Sequence, residues 1–394
     1  MKKTVLIMLV LLIGITLVFT SCGKKEADVA EEAKVVEEAK VVEEAKVVET
    51  IKIGVAGAHT GDLASYGLPS VNAVELVVAN VNAAGGIDGK MIKLVIEDDQ
   101  CKPEIATNTA AKLVGEDVVA VIGHICSGAT KAALDIYNES KIVVISPSAT
   151  SPPLTKSGDY PNFLRTIASD DAQAVLQVDF ALNVLESKKI AVLHDKGDYG
   201  KGLAEFAKAG IEESSAEVVL FEGVTPGAVD YSAVINKIAQ VGADAVIYGG
   251  YHPEAAQLIG GMRAQGLDIP FIGCDGVKDA TFIAVAGDDA EGVYATAPVD
   301  TTSNPIAIKA GKEHLAEYGE EYGAFFLNAY AAALAIVNAI DVANSTDYDA
   351  IMAALKSEYV ETPIGNISFD ERGDAIGVGF AVYQVKNGKF SQLD

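Results

Sequence analysis

The sequence predicts an α/β protein with two lobes, each built on a parallel sheet flanked by helices. From Ile51 onward, short runs rich in valine and isoleucine alternate with segments of helical spacing. This alternation is typical of buried parallel strands covered by helices. The alternation is interrupted near residues 162–175, a stretch called the pause below, and it then resumes in a second unit of similar size. A chain of 394 residues is also too long for one ordinary core, so two lobes are expected.

The first unit contains four strand-like runs, IKIGVAG, KLVIED, VVAVIG and IVVISP. Helical segments lie between them. The first ends in a glycine pair, the second begins with a proline, and the third begins at Ser127. Strand and helix therefore alternate from the start of this unit to its end.

The second unit repeats this order. Ser169 is predicted to cap a helix, with Asp170 and Asp171 in its first turn. Five strand-like runs follow, KIAVLHD, EVVLFEG, DAVIYGG, PFIGCDG and GVYATAP, with helices beginning near residues 199, 230 and 253. Three more helices are expected, over 304–318, 323–344 and 347–356. The closing run VGFAVYQVKNGKF carries an Asn-Gly pair that predicts a hairpin-like turn or an edge.

The N-terminus has the pattern of an export signal. Two lysines precede an apolar stretch over residues 4–19, and small residues then precede Cys22. We expect a lipoprotein signal peptide over 1–22 with the lipid on Cys22; a plain secretory signal is the alternative. Three copies of EEAKVV make up residues 31–48, which predicts a solvated tether over 23–50. No other apolar stretch is expected to span a bilayer, so the protein is predicted to be periplasmic or on the cell surface.

Charge and motifs exclude several classes of function. The formal net charge of −25 opposes binding to nucleic acid. The five histidines stand singly and no C-x-x-C pair is present, so we expect no metal site. Neither phosphate-binding glycine pattern follows the first strand, so no nucleotide or other cofactor is expected.

Three cysteines lie in the predicted folded part. Cys101 and Cys126 each follow a predicted strand end, so the two can meet if those strands are close together. A disulfide there would stabilise the fold by about 3–4 kcal/mol on the chain-entropy estimate. Cys274 is left without a partner.

Small polar residues collect where strands of the first unit end. Ser127 opens a helix, where free N–H groups and the helix dipole favour an anion. Ser127 and Thr150 can each offer a hydroxyl and an N–H to one carboxylate. Alternatively, Ser127 only caps the helix and Thr150 only belongs to a turn. A serine nucleophile is a third interpretation, but the frame around Ser127 lacks the G-x-S-x-G pattern.

Strand ends of the second unit carry Tyr199, Tyr251 and Asp275. Hydroxyls and N–H groups on one wall of a cleft, with aromatics and one acid on the other, suit a zwitterion. Its carboxylate would go to the helix start and its ammonium to Asp275. The alternative for Asp275 is an ordinary Asp-Gly turn.

In these residues the chain resembles the periplasmic leucine/isoleucine/valine-binding proteins, the type I solute receptors of branched-chain amino acid ABC transporters. The resemblance runs from Ile51 to the C-terminus. It rests on the segments GGIDGKMIKLVIEDDQC, VIGHICSGAT, ISPSATSP, HDKGDYGKGLA, YGGYHPE and ISFDERGD, in this order and spacing.

The resemblance implies a hinged fold with three crossovers. Lobe 1 would comprise 51–169 and 299–377, and lobe 2 would comprise 170–298 and 378–394. It also implies a Cys101–Cys126 disulfide and a ligand-binding set, which is Tyr66, Cys126, Ser127, Ser148, Thr150, Tyr199, Tyr251, Asp275 and Phe325. In that set Ser127 and Thr150 hold the carboxylate, the Ser148 carbonyl takes the ammonium, and the aromatic residues line the side-chain pocket. Asp275 stands where the family usually has glutamate, which leaves the preferred amino acid open.

The expected function is therefore to bind an aliphatic, branched-chain amino acid between two lobes and deliver it to an ABC importer. We expect no enzyme activity, a monomer, and permease subunits in the membrane as partners. The alternatives are a sensor module for an amino acid or amide, and an exported serine hydrolase using Ser127.

Overall fold

The computed structural model describes residues 50–393. Residues 1–49 and Asp394 lie outside the described part. The predicted signal peptide, the lipid site at Cys22 and nearly all of the predicted tether therefore fall outside it.

The described chain contains fifteen strands and twelve α-helices. The strands are β1 (Thr50–Gly57), β2 (Met91–Asp98), β3 (Ala120–Ile122), β4 (Val143–Ser146), β5 (Phe163–Arg165), β6 (Lys189–His194), β7 (Glu217–Gly223), β8 (Ala245–Gly249), β9 (Phe271–Gly273), β10 (Tyr294–Pro298), β11 (Val360–Thr362), β12 (Gly365–Phe369), β13 (Ala375–Ile376), β14 (Phe380–Lys386) and β15 (Lys389–Gln392).

The helices alternate with the strands over most of the chain. They are α1 (Ala64–Ala83), α2 (Pro103–Gly115), α3 (Ser127–Glu139), α4 (Pro153–Lys156), α5 (Asp170–Asp179), α6 (Asp198–Glu212), α7 (Ser232–Val241), α8 (His252–Ala264), α9 (Ala280–Ala286), α10 (Pro305–Tyr318), α11 (Phe326–Ala343) and α12 (Tyr348–Ser357). A π-helical turn, Phe180–Val184, continues α5, and a 3-10 turn, Gly287–Ala290, continues α9.

Lobe 1 is built on a five-stranded sheet in the order β2-β1-β3-β4-β5, with every neighbouring pair parallel. The valine and isoleucine side chains of these strands enter two apolar clusters. One cluster includes α1, α11 and α12, and the other includes α2 and α3. Helices thus cover both faces, which is why the strands read as continuous apolar runs. Of the five strands in this sheet, only β5 was not predicted from the sequence, because its three residues lie within the pause between the two units.

Lobe 2 is built on a seven-stranded sheet in the order β15-β14-β10-β9-β8-β6-β7. The strands from β6 to β10 pair in parallel, and the last two are antiparallel. Asn387 and Gly388 join β14 to β15 with positive φ angles of 51° and 70°. This is the two-residue turn that Asn-Gly favours, so the predicted hairpin is confirmed.

Helix α11 corrects one expectation from the sequence. It is 18 residues long and apolar enough to cross a membrane by length and composition, although no such stretch was expected after the N-terminus. Most of it is buried, and it packs against α1 and α12 in the core of lobe 1. Its apolar composition therefore reflects its place as a core helix.

Most of the site-forming loops follow the carboxyl ends of strands, and the exception is the connection between α10 and α11, which carries Phe325. In lobe 1 these loops follow β1, β3 and β4. In lobe 2 they follow β6, β8 and β9. Parallel strands present their carboxyl ends at the same edge, so each sheet offers a row of loops to the cleft.

Candidate functional site

A small pocket lies between the two lobes. Nine residues line it: Tyr66, Ile125, Ser127, Ser148, Tyr199, Tyr251, Asp275, Gly276 and Phe325. Seven of these are in the predicted ligand-binding set, and Ile125 and Gly276 are additions. The remaining volume is about 10 Å³, which is roughly the space of one water molecule. An amino acid therefore requires the lobes to separate before it can enter.

The lobe 1 wall is formed by two loops that hydrogen-bond to each other. Ser127 is the first residue of α3, and its Oγ accepts a hydrogen bond from the Ser151 N–H at 3.2 Å. The Ser148 hydroxyl donates to the Ile125 carbonyl at 2.8 Å. The hydroxyl proton of Ser127 has no acceptor within the described chain. Ser127 can therefore donate to an anion that lies at the N-terminus of α3.

A buried polar network holds this wall in place. His124 lies between Asp99 and Tyr137, with Nδ1 2.5 Å from the Asp99 carboxylate and Nε2 3.0 Å from the Tyr137 hydroxyl. The His124 carbonyl accepts from the Ser146 hydroxyl at 2.5 Å, and Ser146 Oγ accepts from the Ala149 N–H at 2.9 Å. The β3–α3 and β4–α4 loops are thus joined below the pocket.

The predicted disulfide between Cys101 and Cys126 is present, with Cα atoms 5.5 Å apart. It joins the loop after β2 to the residue before α3. Cys126 is buried and does not line the pocket. Among the described residues, Cys274 is a buried thiol outside the disulfide.

Thr150 also lies outside the pocket wall. Its side chain is fully buried, and its Oγ1 has no hydrogen-bond partner in the part of the chain that the structure describes. The Thr150 carbonyl accepts from the Asp170 N–H at 3.0 Å, which brings Thr150 to the start of α5. The structure thus places Thr150 beside the chain crossing between the sheets.

The lobe 2 wall is centred on Tyr199 and Asp275. The Tyr199 hydroxyl donates to Asp275 Oδ1 at 2.5 Å and accepts from the Gly276 N–H at 3.1 Å. Tyr199 is held there by a close backbone approach between Gly200 and Gly249. A Cβ at Gly200 would lie 2.3 Å from the Gly249 carbonyl oxygen, so only glycine fits.

Asp275 is buried, with 3% of its surface exposed. Burial raises its pKa from the ordinary value of 3.8 to about 6, against the opposing effect of the Tyr199 hydrogen bond. A cation that replaces the lost water would restore the charged form. Asp275 is therefore suited to bind an ammonium group.

Asp170 is a second acid in this region. From the sequence it was expected only to lie in the first turn of a helix. It is fully buried, and among the described residues neither carboxylate oxygen has a hydrogen-bond partner. Burial first, and then the charge of Asp275, raises its pKa well above the ordinary value. The only sequence signal was an acid at the first position of a helix that follows the pause between the units.

Aromatic residues close the pocket across the two lobes. The Tyr66 hydroxyl, from α1, donates to the Gly276 carbonyl at 2.6 Å and lies 2.5 Å from His252 Nδ1. Because the Gly276 carbonyl can only accept and takes the Tyr66 hydroxyl proton, the His252 Nδ1 carries the proton of the second bond. The Tyr66 ring also packs 5.7 Å from Phe325 and 6.1 Å from Tyr251. These contacts join the lobes directly.

This arrangement lacks the parts of a serine hydrolase. In residues 50–393, no histidine is hydrogen-bonded to Ser127, and His124 is enclosed by Asp99 and Tyr137. A nucleophilic serine requires a base within hydrogen-bond reach. The geometry instead supplies a donor wall, an acidic wall and an aromatic lining, which defines a two-lobed protein with a binding pocket between its lobes.

The family of the chain follows from comparison with known proteins. A periplasmic binding protein family model matches residues 50–389. The chain belongs to this family of periplasmic binding proteins, and the resemblance seen in the sequence is confirmed.

Two curated relatives illustrate the similarity. A leucine-, isoleucine-, valine-, threonine- and alanine-binding protein of Pseudomonas aeruginosa is 38% identical over 334 residues, which is 85% of this chain and 89% of the relative. A Leu/Ile/Val-binding protein of Escherichia coli K12 is 38% identical over 339 residues, covering 84% and 90%.

Solved structures show the same fold. A leucine-binding protein LivK of Thermotoga maritima superposes with a TM-score of 0.82 at 27% identity, covering 88% of this chain and 98% of that one. LivJ of Streptococcus pneumoniae, in complex with isoleucine, has a TM-score of 0.78 at 30% identity and covers 88% and 100%. The fold is therefore that of a two-lobed type I periplasmic binding protein.

Proposed function

We propose that this protein is an extracytoplasmic receptor that binds a branched-chain amino acid between its lobes and delivers it to an ABC importer. The observation that carries the proposal is the pocket itself. Ser127 at the N-terminus of α3 faces the buried Asp275 across an aromatic lining. The names of the relatives from Pseudomonas aeruginosa and Escherichia coli support the branched-chain class.

The amino acid would be held at both charged ends. Ser127 and the first N–H groups of α3 would take the carboxylate, with Thr150 assisting from the next loop. Asp275 and the Ser148 carbonyl would take the ammonium. The unpartnered oxygens of Asp170 support a second acidic contribution close by. Tyr66, Tyr199, Tyr251 and Phe325 would surround the aliphatic side chain.

Binding would proceed by hinge closure and would make or break no covalent bond. Under this proposal lobe 1 comprises 51–169 and 299–377, and lobe 2 comprises 170–298 and 378–394. The protein would act as a periplasmic or surface-anchored monomer, with the lipid on Cys22 and membrane permease subunits as partners. It would have no enzyme activity.

Calorimetric titration with leucine, isoleucine and valine tests the proposal. We expect binding of at least one of them in the micromolar range or tighter. 4-Methylpentanoate, which keeps the side chain and carboxylate of leucine but lacks the ammonium, is the matched control ligand for leucine and should bind far more weakly. Millimolar or absent binding of all three amino acids would remove the branched-chain assignment.

Ser127→Ala tests whether the Ser127 hydroxyl binds the ligand carboxylate. Loss of one hydrogen bond to a charged group costs about 1.5–3 kcal/mol, so we expect affinity to fall about tenfold or more. Ser140→Ala, at the far end of α3, is the matched control and should leave affinity unchanged. Equal affinity of Ser127→Ala and the wild type would contradict the role of Ser127.

A further inference from the structure

A second cavity adjoins the pocket, between the residues that follow β10 and the start of α11. Its volume is about 470 Å³, within the usual range for small-molecule sites. We call it the side cavity. Its wall includes Asp275, Lys278, Asp300, Tyr322, Phe325, Tyr383 and Phe390. Asp275 and Phe325 also line the pocket, so the two spaces share a wall.

Lys278 brings a positive charge to the side cavity. Its Nζ lies 4.4 Å from the centroid of the Tyr383 ring. Within residues 50–393, no carboxylate or carbonyl oxygen lies within hydrogen-bond distance of this Nζ. Burial lowers the pKa of Lys278. A partly desolvated ammonium without a direct acceptor favours an anionic group in front of it.

Asp300 brings the opposite charge. Its Oδ1 accepts from the Thr302 N–H at 2.8 Å, and the hydrogen bonds from Thr302 lower its pKa, so it stays ionised. Lys278 and Asp300 influence each other electrostatically but form no direct ion pair. Two opposite charges therefore face one space without neutralising each other directly.

Aromatic side chains supply the apolar part of this wall. Tyr322, Phe325 and Phe390 line the cavity. Phe325 has a φ of 61°, in the left-handed region that non-glycine residues seldom adopt. Such a conformation persists only where the surrounding structure holds it, and here it places one ring at the boundary of both spaces.

From this arrangement we propose that the side cavity is a second binding site for a small zwitterion with an apolar side chain. The ligand's carboxylate faces Lys278, its ammonium faces Asp300, and its side chain packs on the aromatic wall. A simple anion would gain nothing from Asp300, and a simple cation would gain nothing from Lys278. The site lies beyond the proposed function, because none of Ser127, Ser148 and Tyr199 belongs to its wall.

Equilibrium dialysis with radiolabelled leucine, extended to millimolar concentration, tests the inference. We expect two leucines per chain, one tight and one weak. Lys278→Met should remove the weak site and leave the tight-site Kd within about twofold. Lys278→Arg, which keeps the cation, should retain the weak site. Lys312→Met, at an exposed lysine outside the cavity, is the matched control.

The outcomes separate this inference from the proposed function. Ser127→Ala should weaken the tight site and spare the weak one. If the wild type saturates at one leucine per chain, the side cavity is not a binding site, and the proposed function is unaffected. The same conclusion follows if Lys278→Met still binds a second leucine. If Asp300→Asn leaves weak binding unchanged and 4-methylpentanoate, which is leucine without its ammonium, competes as well as leucine, the zwitterion assignment is wrong.

Discussion

Replacement of Tyr66 by phenylalanine should weaken ligand binding by impairing closure of the lobes. The Tyr66 hydroxyl makes two hydrogen bonds across the cleft, to the Gly276 carbonyl at 2.6 Å and to His252 Nδ1 at 2.5 Å. Tyr66 is 1% exposed and His252 is 2% exposed. In Tyr66→Phe, both partners would lose their hydrogen bond whenever the lobes close. In the open protein, water would satisfy them.

The magnitude follows from the cost of leaving buried polar groups without partners. Each such group costs about 1–3 kcal/mol. Some local adjustment will recover part of this, so we expect closure to become less favourable by about 2–4 kcal/mol. Because every 1.4 kcal/mol is a factor of ten, leucine affinity should fall by about 30- to 1000-fold. The free energy of unfolding without ligand should change by less than about 1 kcal/mol.

Titration calorimetry measures the affinity, small-angle X-ray scattering measures closure, and urea unfolding measures stability. Tyr231→Phe is the matched control, because the Tyr231 hydroxyl donates to the Thr225 carbonyl at 2.8 Å inside lobe 2. It should leave affinity unchanged and lower the free energy of unfolding by about 1 kcal/mol. Leucine affinity within twofold of the wild type in Tyr66→Phe would refute the reasoning.

Three further predictions concern stability and pH. Replacing Cys101 and Cys126 by serine should lower the free energy of unfolding by about 3.5 kcal/mol, since 25 residues separate them. Cys274→Ser is the control. Equal urea unfolding of the wild type, the double variant and Cys274→Ser would contradict the estimate. The raised pKa of Asp275, about 6 against 3.8, means that its stabilising effect is full below pH 3.8 and is lost as pH rises through 6. Asp275→Asn should therefore be more stable than the wild type at pH 8, by up to about 3 kcal/mol, with little difference at pH 3; equal unfolding midpoints at pH 8 would count against this. Leucine affinity should decrease as pH falls from 8 to 5, because protonated Asp275 no longer attracts an ammonium group; a flat profile by calorimetry, with Asp275→Asn as reference, would exclude that role.

Much of the fold was predictable because its strands are buried on both faces. Runs such as those of β1 and β8 are apolar throughout, so they stand out between helices of clear spacing. β5 was missed, because its three residues end in the charged Arg165, whereas β3 and β9, which are equally short, are apolar throughout. The Asn-Gly pair was sufficient for the β14–β15 hairpin, because turn chemistry is local.

The site was predictable wherever a residue lies in the loop or the first helical turn after a strand. Ser127, Tyr199, Tyr251 and Asp275 all do so, and all line the pocket. Gly276 was not predicted, because it contributes a backbone carbonyl and a backbone N–H, and no side chain in the sequence indicates that role. The bonds from Tyr66 to His252 and Gly276 depend on how the lobes meet, and no periodicity reports that. For Asp170 the sequence indicated only the start of a helix. Its full burial depends on tertiary packing, which the local sequence does not show.

The order of the strands along the chain has a consequence for biosynthesis. The edge of the lobe 2 sheet is formed by β14 and β15, which follow all other strands, while the lobe 1 core contains residues such as Phe326 and Phe369 that follow most of lobe 2. Each half therefore completes its core only after the chain has passed through both lobes. A nascent chain thus keeps apolar surface exposed to chaperones and proteases until residues 369–385 have been made.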